Sequence, residues 1–375
     1  MIPLLFLAGL ALFQVVVMGP IALDSGQILH LESRTTLSPE QSYDQLALQR
    51  VVLVGESHDD LHHHQVQLQV IQALHQRREQ IAIGLEMIPQ HLQPQLDRWV
   101  RGELEEGDFL DAISWYSTWG FDAELYLPIF RFAQQHRTPL VALNIKREVV
   151  HQVRMKGLQG VEEEVRRQIP PLAPASTDYR IRLSEVFNSH PMMSRMGKFE
   201  QFIQAQQVWD AVMATRIAQW LENNPQGLMI GLAGSGHLIY GHGIPHQLQS
   251  LHIQKVVTLL PWTVGEEWID PSMAQYAWGV SKPPPKPEPV RLGVFLEERD
   301  QEKGGGVFIE KVMEDSLATK VGLQVGDRIT RLNDQPIQSR HTLVRLIRQL
   351  EWGGSASVTV RRAGEEKVIP VALTP

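Results

Sequence analysis

Val51-Val52-Leu53-Val54-Gly55-Glu56-Ser57-His58-Asp59 is the stretch that decides the fold. Four apolar residues in a row, mostly β-branched, are followed at once by glycine and then by carboxylate, hydroxyl and imidazole groups. A continuous apolar run this short reads as a strand covered on both faces, with its polar residues where the chain turns out of the sheet. The same unit recurs along the chain. Ile81-Ala82-Ile83-Gly84-Leu85 ends at Glu86, and Leu140-Val141-Ala142-Leu143 ends at Asn144. Leu228-Met229-Ile230-Gly231-Leu232 leads to Gly234-Ser235-Gly236-His237, and Val256-Val257-Thr258-Leu259-Leu260 completes the series. Helical patterns separate these runs, the rhythm of an α/β fold with a parallel sheet and crossover helices. The first crossover spans roughly residues 62–78, with Val70, Ile71 and Leu74 on one face and His63 and Gln67 extending it toward the helix start. Residues 145–227 are too many for a crossover and are expected to form a helical insertion or lid.

In open α/β sheets, ligands bind beyond the carboxyl ends of the strands. The repeated unit therefore delivers Glu56, His58, Glu86, Asn144 and His237 to one rim. Each has a plainer reading on its own: Glu56 can cap the following helix, and a histidine after a strand is commonly hydrogen-bonded structure. Their common placement is what marks a site. Of the successive imidazoles His62-His63-His64, only His63 lies on the core-facing stripe and is expected to join the rim; His62 and His64 are expected in solvent. Two enzyme motifs fail. A nucleophile elbow would need glycine at Ala233 and His237, and a dinucleotide fingerprint would need its third glycine at Ile239.

Composition narrows the chemistry. The chain has 375 residues, 43% of them hydrophobic, a formal net charge of −7 and no cysteine. Disulfides, thiolate catalysis, Cys-ligated metals and a lipidated N-terminal Cys are excluded. No basic run or basic-aromatic stripe is present, so nucleic acid is not an expected partner. Residues 1–23 carry no charged side chain and Leu4–Met18 is almost unbroken apolar sequence, which reads as a signal peptide or membrane anchor. The expectation is an exported protein, periplasmic or anchored at its N-terminus and facing the periplasm. The insertion carries His190-Pro191-Met192-Met193 and Met196, with Tyr179 upstream, side chains that pack cores but also line flat apolar cofactors such as haem.

Lys282-Pro283-Pro284-Pro285-Lys286-Pro287-Glu288-Pro289 is a stiff polyproline spacer. It divides the chain into an α/β domain over residues 35–275, a linker over 281–289, and a small α+β domain over 290–375.

Several ordered blocks carry a resemblance. Gly55-Glu56-x-His58-Asp59 with His63-His64 and Gln67, then Leu85-Glu86-Met87, is similar to the ChaN-like haem-binding family. So are Trp119-Gly120-Phe121 with Tyr126-x-Pro128, Ala142-Leu143-Asn144 before Arg147, and Gln207-x-x-Asp210-x-x-Met213-Ala214. Gly234-x-Gly236-His237-x-x-Tyr240-Gly241-x-Gly243-Ile244-Pro245 matches as well. The resemblance implies haem as cofactor, a role in bacterial haem or iron uptake at the envelope, and a homodimer with two haems stacked between subunits. It implies a haem site among Glu56, His58, His63, Glu86, Asn144, His237 and Tyr240, with His58, His237 and Tyr240 as the candidates for iron and Tyr126 beside them. The chain departs from lipoprotein members in lacking an N-terminal Cys. The fold is also similar to Tiki-type proteases and erythromycin esterases, which implies the alternative of a metal-dependent hydrolase. Glu56 or Glu86 would then be the general base on a water at a metal held by His58 and His237.

The C-terminal part resembles a PDZ domain. Arg291-Leu292-Gly293-Val294 corresponds to the carboxylate-binding loop, and Ser316-Leu317-Ala318 through Val321-Gly322-Leu323-x-x-Gly326-Asp327-Arg328-Ile329 to the core. The resemblance implies that Leu292, Gly293 and Val294 bind the C-terminal peptide of an envelope protein, added as an edge strand beside a helix over residues 339–350.

Overall fold

The computed structural model describes residues 23–189, 198–265, 269–285, 288–297 and 305–374. The apolar segment 1–22 and the stretch His190–Met196 lie outside these residues. Among the described residues no helix is long and apolar enough to cross a membrane.

The first part runs β1 (Ile28–His30), β2 (Thr35–Leu37), α1 (Pro39–Ala47), β3 (Val51–Glu56), α2 (Leu61–Arg77), β4 (Ile81–Pro89), α3 (Gln93–Val100), α4 (Glu106–Ala112), α5 (Trp115–Thr118), α6 (Leu127–His136) and β5 (Leu140–Asn144). It continues with α7 (Arg147–Lys156), α8 (Glu163–Arg166), α9 (Thr177–Ser189), α10 (Phe199–Asn223), β6 (Leu228–Gly234), α11 (Ile244–Ser250), β7 (Val256–Thr263) and β8 (Tyr276–Val280). The sheet order is β2-β1-β8-β7-β3-β6-β4-β5. Strands β3 to β8 are mutually parallel, β1 runs antiparallel to β8, and β2 antiparallel to β1. All five apolar runs are strands. Local pattern does not mark β1, β2 and β8, because a three-residue edge strand is too short to show a period and Tyr276-Ala277-Trp278-Gly279-Val280 mixes small and aromatic residues.

β6 inserts between β3 and β4. Glu56 therefore pairs in register with Gly234, and Leu85, just before Glu86, with Leu232. Alternate residues of β3 serve opposite faces, as a run buried on both sides requires. Val52 and Val54 join the cluster with Val70, Ile71 and Leu74 of α2, while Val51 and Leu53 join Met213, Ala214 and Ile217 of α10. The 145–227 insertion is helical, and α7 packs Val149, Val150 and Val153 on Val208 and Val212 of α10.

After the linker come β9 (Val294–Leu296), β10 (Val307–Val312), α12 (Leu317–Lys320), β11 (Arg328–Leu332), β12 (Gln335–Pro336), α13 (Arg340–Arg348), β13 (Ser355–Arg362) and β14 (Glu365–Ala372). Their antiparallel order is β14-β13-β11-β10-β9, with β12 on β11. Ile309, Ile329, Leu343, Val358 and Val360 are fully buried at its centre.

Candidate functional site

β3 ends by burying Glu56; three side chains donate to its carboxylate and the His64 imidazole stands beside it. His58 Nδ1 lies 2.8 Å and the Tyr126 hydroxyl 3.0 Å from Oε1; the Gln67 amide lies 2.8 Å and His64 Nδ1 3.2 Å from Oε2. Burial would raise this carboxyl's pKa, but the His58 hydrogen bond, the neighbouring imidazole of His64 and the Gln67 amide outweigh it and hold the group below its ordinary value. Glu56 is thus a fixed anion that orients His58. The His58 ring is walled by Trp119 and Phe121, with centroids at 4.6 and 5.0 Å. Burial would lower the His58 pKa; its hydrogen bond to Glu56 and the charge of Glu86 outweigh that and raise it. Burial together with the Glu56 charge drives the Tyr126 phenol far upward, so it stays a neutral hydroxyl that donates to Glu56 and accepts the Trp119 indole N–H.

Across the rim the arrangement repeats. His237 Nδ1 donates to Asp210 Oδ1 at 2.6 Å, and the Tyr179 hydroxyl donates to Asp210 Oδ2 at 2.7 Å. His237 Nε2 stands 3.5 Å from Glu86 Oε1, while Glu86 Oε2 accepts the Gly234 N–H at 2.5 Å. Burial works against a proton on His237, but the charges of Glu86 and Asp210 outweigh it and push its pKa up to about 9. At neutral pH His237 is therefore an imidazolium between two carboxylates. Gly234 closes the site from beneath: a Cβ there would lie 2.8 Å from His58 Cε1 and 3.6 Å from Glu86 Oε2.

The expected rim residues therefore divide. Glu56, His58, Glu86 and His237 come together. Asn144 becomes a fastener, its amide donating to the Glu86 carbonyl at 2.7 Å and its oxygen accepting Ile145 N–H at 2.8 Å. His63 turns away from His58: its Nδ1 accepts the Ser57 N–H at 2.8 Å, and it lines a cavity with Asp60, Trp262 and Lys282–Pro285. His64 corrects the expectation of a solvated side chain. It is 2% exposed, because the start of α2 is covered both by the β3 loop and by the Tyr126 ring, whose centroid is 4.2 Å away. Asp210 is a site residue that the strand-end pattern does not reveal. The available signal is a lone carboxylate in the apolar stretch Val208-Trp209-Asp210-Ala211-Val212.

Tyr240, a further candidate for iron, stands on an open cleft beside Arg182. That cleft, of about 410 Å³, is also lined by Asp178, Ile181, Glu185, His242 and Ser272. The Tyr240 backbone is left-handed at φ 59°, held by its N–H bond to the Met273 carbonyl at 2.8 Å. Burial first, and then Asp270, which accepts its hydroxyl, raise the Tyr240 phenol. Arg182 lies over the Tyr179 ring at 5.1 Å, and its Nε has no partner among the described residues. Among those residues, no three His, Asp or Glu side chains are disposed to hold a metal ion.

In the C-terminal part, β9 is the edge strand. Val294–Glu297, Glu310, Arg340 and Val344 line a groove of about 750 Å³ between it and α13. Gly293, at φ 80°, begins this edge; a Cβ there would lie 2.2 Å from Ser316 Cβ, so the loop requires glycine on both counts. Leu292 is buried and its carbonyl accepts the Ala318 N–H at 2.8 Å, which fixes the loop on α12.

Comparison with known proteins agrees with both halves. The family model described as "Haem-binding uptake, Tiki superfamily, ChaN" matches residues 42–248, and that of the PDZ domain matches residues 290–373. The structure reported as "Cofacial heme binding to ChaN of Campylobacter jejuni" superposes with a TM-score of 0.54 at 21% identity, over 67% of this chain and 95% of that one. Two probable periplasmic serine endoproteases, DegP-like, from Pseudomonas fulva and Pseudomonas fluorescens, are 36% and 34% identical over 90 residues. That alignment takes in 22% of this chain and only 19% of each of those proteins. The chain belongs to the ChaN haem-binding family of the Tiki superfamily and carries a PDZ domain behind it.

Proposed function

We propose that this protein binds haem on the Tyr240 cleft and handles it at the bacterial envelope, in haem or iron uptake. The observation that carries this reading is Tyr240 itself: a tyrosine presented by a left-handed backbone on the wall of an open, partly apolar cleft. A phenolate is an established type of iron ligand in haem proteins. Of the other candidates, Tyr126 is bound to Glu56 and Trp119 and His237 is held between Asp210 and Glu86, while His58 is held through Nδ1 by Glu56. The cleft's donor set suits haem. Tyr240 would hold the iron, Asp270 would take the phenolic proton, Arg182 would meet a propionate, and the exposed Ile181 would lie against the ring. A porphyrin bound there would keep one face open, which supports closure by a second copy of the chain. Cofacial haem binding by the ChaN protein of Campylobacter jejuni is in keeping with that. The apolar segment 1–22 supports export, and the edge strand β9 beside α13 supports docking through the C-terminal peptide of an envelope partner.

The test is titration of the purified protein with haem. A stoichiometric Soret band is expected, with the signature of a tyrosinate-ligated ferric ion, lost in Tyr240→Phe. Arg182→Ala is expected to weaken binding by about tenfold. A Soret band unaltered in Tyr240→Phe would overturn the assignment of the cleft.

A second reading rests on a different observation. Two carboxylate–imidazole pairs, Glu56–His58 and Asp210–His237, converge on Glu86. Such a set can move protons without a metal: Glu56 is saturated and orients, so His58 Nε2 and Glu86 would be the working groups. Ester or peptide hydrolysis abolished by His58→Gln, with haem binding unchanged, is the result it requires; a wild-type protein without turnover would remove it.

A further inference from the structure

The PDZ domain is fastened to the α/β domain at two places, directly beside the turn that walls His58 and, through the linker, beside the loop that carries it. On one side α13 lies against α4 and α5. The Asp111 carboxylate receives the Arg345 guanidinium at 3.0 and 3.2 Å and the Thr342 hydroxyl at 2.8 Å. Arg348 lies over the Tyr116 ring at 5.6 Å, and His341 Nδ1 is 3.3 Å from the Ser117 hydroxyl. The Asp111 and Arg345 side chains are only 21% and 16% exposed, so this is a shielded pair rather than a solvated surface bridge.

The helix that α13 touches leads straight to the site. α5 is followed by Trp119 and Phe121, the two rings that wall His58. Trp115 Nε1 donates to the Phe121 carbonyl at 2.7 Å and Trp119 Nε1 to the Tyr126 hydroxyl at 2.9 Å, which ties the turn together. A single helical turn has no stability of its own and depends on what it packs against. On the other side, His62 Nδ1 donates to the Ser281 carbonyl at 2.7 Å. Lys282–Pro285 then cover a cavity of about 560 Å³ lined by Ser57, Asp59, Asp60 and His63. Trp352 Nε1 donates to the Glu288 carbonyl at 2.7 Å, which ties the linker to the PDZ domain.

The same helix α13 presents Arg340 and Val344 to the groove beside β9. It therefore has one face toward the groove and one toward Asp111. We propose that the PDZ domain is a brace for the His58 site. Docked through Asp111, it holds the Trp119–Phe121 turn against His58; displacing α13 releases that wall. The groove lets a bound chain bias this element, which is the physical requirement for coupling two sites. The inference holds whichever ligand the rim takes and does not rest on the haem reading.

Reciprocal charge reversal in the full chain tests it, read by amide hydrogen exchange and by the NMR signal of the His58 ring. Asp111→Arg and Arg345→Glu are each expected to speed exchange across residues 113–121 by about tenfold and to shift the His58 resonance, with β3 and β6 unchanged. The double variant is expected to return both readouts toward wild type. Should Asp111→Arg disturb β3 and β6 as well, Asp111→Asn is the milder variant, expected to act on residues 113–121 alone. Exchange in 113–121 that stays at the wild-type rate in the single variants, or is not restored in the double, overturns the proposal.

Discussion

Glu56 accepts from His58, Tyr126 and Gln67, which engages both carboxylate oxygens, and His64 Nδ1 stands 3.2 Å from it. Position alone, at a strand end beside a histidine, leaves open whether it is a cap, a base or a ligand contact. The partners decide the matter, and the Tyr126 hydroxyl comes from 70 residues away in sequence. Glu56→Gln would turn an acceptor into an amide that points N–H groups at existing donors. The expected cost is about 2–4 kcal/mol, with the His58 pKa falling as its partner's charge is lost. Urea unfolding and an NMR titration of His58 check both. A variant with wild-type stability and an unshifted His58 would mean that the four contacts hold nothing in place.

At the scale of elements, the strands are readable because a run buried on both faces needs no partner to be recognised. The helices are readable where one apolar stripe dominates, as Val70, Ile71 and Leu74 do in α2. What the stripe misses is the start of α2, where Asp60 caps by accepting His62 N–H at 2.8 Å and His63 N–H at 3.3 Å. There the helix is enclosed on more than one side, so His64 is buried against periodicity. α5 has no signal in the sequence at all, since its stability is borrowed from α4, α6 and α13. That dependence is also why a change at Asp111 is expected to be felt at Trp119.

For the whole molecule, the buried charges set a pH window. His237 has a folded pKa of about 9 against an ordinary 6.5, so its contribution is fully present below about 6.5 and is lost as pH rises through about 9. The amount is about 3 kcal/mol at most, shared with Glu86 and Asp210. Glu56 acts in the opposite sense. Its folded pKa lies below the ordinary value of 4.5, so its contribution is present above that value and is lost as pH falls through the folded pKa. Stability measured by urea unfolding is expected to be highest between about pH 5 and 7 and to decline on both sides, and His237→Asn is expected to flatten the alkaline limb. An alkaline limb that survives in His237→Asn would assign the decline to other groups.

Residue order was enough to establish that five apolar runs become a parallel sheet, that their polar ends share one rim, and that a separate small domain follows a polyproline linker. Those features follow from local pattern: burial on both faces, turn chemistry at strand ends, and composition. It took the folded chain to place β6 between β3 and β4, which brings Glu56 and Glu86 to either side of Gly234. Folding also put Tyr240 on the Arg182 cleft, gave His237 its Asp210 partner, and set α13 on Asp111. Each of these is a pairing between residues distant along the chain, made by sheet order and helix packing, and local pattern carries no record of which distant group a side chain will meet.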